Sequence, residues 1–103
     1  MQKALLSKHT QAFLRALASP TRQALLMQLA GGETLTVGQI AEQCKIGQST
    51  ASEQLALLRQ GGLVAASRAG KQRLYYADAA SIRAQLNLLI EALEQCCPPS
   101  SKR

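Results

Sequence analysis

The sequence predicts a small, mostly α-helical domain carrying one β-hairpin, in the order α-α-(β)-α-α-β-β-α. Three observations carry this prediction. Apolar residues recur at helical spacing from residue 2 to residue 60, in stretches separated by Pro and Gly. The period then changes to two short β-prone runs around a Gly-containing loop within 63–76. Helical spacing returns over 79–97 and stops at Pro98-Pro99.

Each element has its own signals. Leu6, Phe13, Leu14 and Leu17, supported by Ala16, form the stripe of a first helix over 2–18. Ser19 is a good N-cap and Pro20 is pre-set for a first helical position, so a second helix runs over 20–30. It buries Leu25, Leu26 and Leu29 and ends at Gly31-Gly32. Leu35-Thr36 is a short β-prone stretch. Val37, Ile40, Ala41 and Cys44 then place a third helix over 37–44. The turn Lys45-Ile46-Gly47 leads to a fourth helix over 48–60, with Ala51, Leu55 and Leu58 inward and Gly61-Gly62 behind it. Leu63–Ser67 and Gln72–Tyr76, joined through Arg68–Lys71, read as a hairpin. The last helix carries Ile82, Leu86, Leu89, Ile90 and Leu93.

A chain of 103 residues sets the ceiling at one domain, here 1–97, with 98–103 expected to be a disordered tail. At 47% apolar and 17% charged residues it is neither disordered nor fibrous. No apolar run approaches the roughly 18 residues of a membrane span. The start of the chain does not read as a secretory signal, so a cytoplasmic protein without a membrane partner is expected. Enzyme chemistry finds little to use. His9 is the one histidine and Asp78 the one aspartate, and neither a Walker loop nor a GxGxxG fingerprint is present. Phe13, Tyr75 and Tyr76 are too few to stack a single strand of bases. With 12 Lys and Arg against 6 Asp and Glu, the balance of +6 fits a partner of dense negative charge.

Two short helices joined by a three-residue turn containing Gly form a helix-turn-helix pattern. With Ala51, Leu55 and Leu58 inward, the second helix shows Gln48, Ser49, Ser52 and Glu53 outward, flanked by Thr50 and Gln54. Small hydroxyls and amides suit close approach to base edges and phosphates. Between residues 45 and 73 the cations are Lys45, Arg59, Arg68, Lys71 and Arg73, and the one acid is Glu53. A basic hairpin beside a reading helix suits a wing that grips the backbone or enters a minor groove. Glu53 stands against phosphates but would accept from a cytosine amine. The same pattern also fits an amphipathic helix pair with a charge-protected edge and no nucleic acid at all.

The runs Leu17-Ala18-Ser19-Pro20-Thr21-Arg22, Leu35–Ala41, Gln48–Leu55, Leu58-Arg59 and Gly61–Val64 resemble the ArsR/SmtB family of winged-helix repressors, over about residues 10–95. The resemblance implies a homodimeric winged helix-turn-helix protein, dimerising through its first and last helices. It implies binding to a palindromic double-stranded operator and release by an inducer. Carried over by motif, the reader is Gln48, Ser49, Ser52 and Gln54, the last standing where the family often has His. The wing is Arg68 to Arg73, including Lys71.

The family's sensing sites are mostly missing. Its zinc site needs histidine on the last helix, and none follows His9. Its paired arsenic cysteines fall on Thr36 and Gly38, and the cysteine of a redox subgroup falls on Met27. Cys44, Cys96 and Cys97 remain. Cys44 completes an apolar stripe and reads as a packing residue. Cys96 and Cys97 are adjacent thiols at a helix end, which packing does not require. In a reducing compartment they suit a soft ion such as As(III) or Sb(III), with a third sulfur from elsewhere, since the tail 98–103 has no cysteine. No obligatory cofactor is expected. Oxidation by peroxide or polysulfide, and a repressor without an inducer, are the alternatives.

Overall fold

The computed structural model describes residues 4–99. Its elements are α1 (Lys8–Leu17), α2 (Pro20–Met27), α3 (Val37–Cys44), α4 (Gln48–Gln60), β1 (Val64–Ala69), β2 (Gln72–Ala77) and α5 (Ala79–Cys96), with a short 3₁₀ turn at Ala30–Gly32. The order and type of every element match the sequence reading. Two helix limits differ. The first helix was expected from residue 2, but residues 4–7 are not helical, and Ser7 caps the helix by accepting from the Thr10 amide at 3.2 Å. Residues 2 and 3 lie outside the described segment. The second helix was expected to reach 30 and stops at Met27, where the backbone tightens toward Gly31 at φ 75°.

Caps fix most of the starts. Ser19 accepts from the Arg22 amide ahead of Pro20. Thr36 and Gln39 form a reciprocal capping box at α3, with bonds of 3.2 and 2.9 Å. Asp78 accepts from the Ser81 amide at α5. The hairpin pairs Val64 with Ala77 through to Ala69 with Gln72, so its tip is Gly70-Lys71. Gly70 sits at φ 65°, the left-handed conformation that such tight turns demand. Arg68 was expected in a four-residue loop and Arg73 in the second strand. Arg68 instead belongs to β1 and faces Arg73 as a strand pair. The β-prone Leu35 becomes a single bridge to Tyr75, with backbone bonds of 3.1 and 2.8 Å.

The core gathers Phe13 of α1, Leu25 and Leu29 around α2, Ile40 of α3, Leu55 and Leu58 of α4, and Leu63, Val64 and Tyr75 of the hairpin. Gly61 lets α1 close on the end of α4. A Cβ there would stand 2.8 Å from Ala16 Cβ and 2.9 Å from the Ala12 carbonyl. α5 behaves differently. None of its residues is fully buried, and Leu86, Ile90 and Leu93 are 43%, 53% and 44% exposed. Ile82 still packs against the core and Thr10 donates to Gln85, while the chain as a whole is extended, with a radius of gyration of 16.3 Å against the roughly 13 Å of a compact chain of this length. Beyond α5, Pro98 and Pro99 carry no regular structure, and the rest of the expected tail, 100–103, lies outside the described residues.

Candidate nucleic-acid interface

The turn between α3 and α4 is built on an unusual residue. Lys45 adopts φ 58°, and the Ile46 amide returns to the Ala41 carbonyl at 3.0 Å. This closes α3 in a left-handed cap made without glycine. The chain then enters α4 through Gly47, which supplies no side-chain cap. The amides of the first turn of α4 therefore lack a side-chain acceptor there, and a helix N-terminus in that condition favours an anion.

Packing of Ala51, Leu55 and Leu58 sets the rotation of α4. Gln48, Ser49, Thr50, Ser52 and Glu53 consequently lie exposed on one continuous surface. Gln54 does not join them freely. It is half-buried, and its Oε1 accepts from Arg22 Nη1 at 2.9 Å. Arg22 was not singled out from the sequence. A cation just inside a Ser-Pro cap, one helix after a C-terminus, was the available signal.

The hairpin adds charge at the same edge. Strand alternation puts Arg68 and Arg73 on the face that buries Val64 and Tyr75, one step past the core. Arg73 lines a cleft with Thr36, Val37, Gly38, Gln48, Gln72 and Tyr75. The starts of α3 and α4 and the second strand of the wing thus share one depression. Like charges directly opposed across strands destabilise a hairpin. An anion between Arg68 and Arg73 would reverse the sign of that contact. Lys71 lies exposed at the tip of the hairpin.

The cysteines differ in their surroundings. Cys44 is half-buried against the core, and burial pushes its thiol above the usual range. Cys96 and Cys97 are both exposed, with Cys97 Sγ donating to Cys96 Sγ at 3.0 Å. That hydrogen bond first, and the neighbouring charge second, hold the proton on Cys97 above the ordinary thiol pKa. Among the described residues no three His, Cys, Asp or Glu side chains gather as a metal site. The described residues therefore bring two thiols together and no third ligand. Nor is any described helix long and apolar enough to cross a membrane.

A reading helix whose polar N-terminal half opens onto a charged hairpin defines a winged helix-turn-helix protein. The helix-turn-helix domain family matches residues 17–65. The chain is 38% identical over 76 residues to the biofilm growth-associated repressor of Xylella fastidiosa, covering 74% of this chain and 66% of that protein. It superposes with TM-score 0.66 and 28% identity on the homodimeric winged helix-turn-helix DNA-binding domain of a possible ArsR-family regulator from Mycobacterium bovis. That match covers 92% of this chain and 88% of the other. A possible transcriptional regulator for arsenical resistance matches with TM-score 0.66 and 31% identity, over 81% of this chain and 84% of that one. The chain belongs to the ArsR/SmtB family of winged-helix regulators. The family and these relatives are transcriptional regulators, not enzymes.

Proposed function

We propose that this protein is a transcriptional repressor that binds a palindromic DNA operator as a homodimer. In this reading α4 lies in the major groove, with Gln48, Ser49, Thr50, Ser52 and Gln54 at base edges and adjoining phosphates. Arg68, Lys71 and Arg73 hold the flanking backbone. The observation that carries the proposal is the shared cleft, in which Gln48 of the reading helix and Arg73 of the wing face one space. The exposed stripe of α5 supports a second copy as its cover, because Leu86, Ile90 and Leu93 would otherwise stay in water. The test is anisotropy of labelled duplexes across a salt series. The reading expects the logarithm of the affinity to fall linearly with the logarithm of salt, and sequence preference to persist across the series. Absence of any sequence preference would overturn it.

The inducer is proposed to act at Cys96 and Cys97, with As(III) or Sb(III) as the class. Two exposed thiols 3.0 Å apart suit a soft thiophilic ion that accepts both sulfurs, the third sulfur coming from elsewhere than the tail 98–103, which has no cysteine. Thiol oxidation remains the second reading because the described residues gather only two sulfurs there. Parallel titration of the DNA complex with As(III), Zn(II) and peroxide separates them. Release by As(III) alone supports the first, and release by peroxide alone the second.

A further inference from the structure

Arg22 stands on the first turn of α2, where Ser19 fixes its backbone. Its guanidinium donates from Nε to the Ala16 carbonyl at 2.8 Å and from Nη2 to the Arg15 carbonyl at 2.9 Å. Both carbonyls belong to the last turn of α1, the negative end of that helix. The remaining arm, Nη1, donates to Gln54 Oε1 at 2.9 Å. Three acceptors around a rigid planar fork leave the group one orientation. One cation thus ties the end of α1 and the start of α2 to the middle of the reading helix.

The consequence falls on Gln54. An amide has an accepting oxygen and a donating nitrogen, and only the oxygen can answer a guanidinium. The clamp therefore turns the Gln54 oxygen toward Arg22 and leaves Nε2 as the group free to meet DNA. A freely rotating glutamine pairs with adenine through both atoms, accepting from N6 and donating to N7. A clamped one keeps a second lone pair, but its oxygen is held toward Arg22, so the donor is the atom it presents outward.

We propose that Arg22 is a positioning residue which fixes Gln54 as a hydrogen-bond donor. Gln54 then selects a base edge bearing acceptors in the major groove, such as guanine O6 and N7 or thymine O4, and disfavours the cytosine amine. This inference rests on the DNA-binding function proposed above. It concerns specificity rather than grip, since Arg22 touches no base.

The test is selection from a randomised duplex library by the full chain, followed by affinities for the selected duplex and its single-base variants. Arg22→Lys keeps the charge but loses the fork, so the salt slope should hold. Base preference should fall by roughly tenfold at one position in each half-site, the size of a lost base contact. Gln54→Ala should flatten that same position, and the double variant should lose no more. Gln54→Glu keeps the acceptor that Arg22 holds and removes the donor, so its preference should move toward cytosine. Arg22→Lys with unchanged preference at the position flattened by Gln54→Ala would overturn the inference, as would a Gln54→Glu variant with wild-type preference. An unenriched library with the wild-type chain overturns the DNA-binding reading itself, and this inference with it.

Discussion

Replacing Gly61 by Ala tests the joint between α1 and the reading helix. Gly61 has φ −82° and ψ −3°, which alanine adopts without strain, so the backbone itself raises no objection. The obstacle is space. The new methyl would stand 2.8 Å from Ala16 Cβ, 2.9 Å from the Ala12 carbonyl and 3.2 Å from Phe13 Cα. None of these atoms can rotate away, and ordinary carbon contacts lie at about 3.5–4.0 Å. α1 must therefore shift by several tenths of an ångström against a core that includes Phe13. Overpacking of this kind costs about 1–3 kcal/mol. Reduced freedom of the unfolded chain returns about 0.4–1 kcal/mol. A net loss of about 1–2 kcal/mol follows, or roughly 4–15 °C in the melting midpoint of a domain this size. The assay is thermal and urea unfolding at one fixed protein concentration, because dimerisation would otherwise move the midpoint. A Gly61→Ala protein as stable as wild type, or more so, would refute the close approach of the two helices.

Other predictions concern the wing, the reader and the thiols. Lys71→Ala should weaken binding to every duplex and lower the salt slope by about 0.9 per subunit, measured by anisotropy over a salt series. Ser52→Ala should leave that slope intact and cost about 1–3 kcal/mol of discrimination, read as the affinity ratio between selected and scrambled duplexes. Cys96→Ser and Cys97→Ser should each keep DNA binding and abolish release by arsenite, whereas Cys44→Ala should chiefly lower the unfolding midpoint through a small cavity. Because Cys97 holds its proton above the usual thiol range, its alkylation should be slower than that of a free thiol at neutral pH. The alkylation rate should climb at higher pH, and Cys96→Ala should shift the rise back down.

Local signals made the scaffold legible. Ser19-Pro20 and the paired glycines are decided by a few neighbouring residues, and the helix limits beside them follow, whereas the Thr36 cap went unread behind a β-prone pair. Where two local signals competed, the reading slipped: apolar spacing extended the first helix across Ser7, yet the hydroxyl of Ser7 ends it. Likewise the hairpin loop was drawn too wide, because register depends on which pairs cross the strands. The clamp on Gln54 was invisible for a different reason. Arg22 and Gln54 are 32 residues apart, and no periodicity links a cation on one helix to an amide on another. The vicinal thiols were evident from sequence, while a third ligand is not among the described residues.

Hydroxyl-radical footprinting on a duplex selected by the wild-type chain tests the central claim most directly. A homodimer with α4 in the major groove and Lys71 on the flanking backbone predicts two protected half-sites related by two-fold symmetry. Their centres should lie about one helical turn, or a multiple of it, apart. A single asymmetric footprint, or uniform cleavage along the duplex, would contradict it.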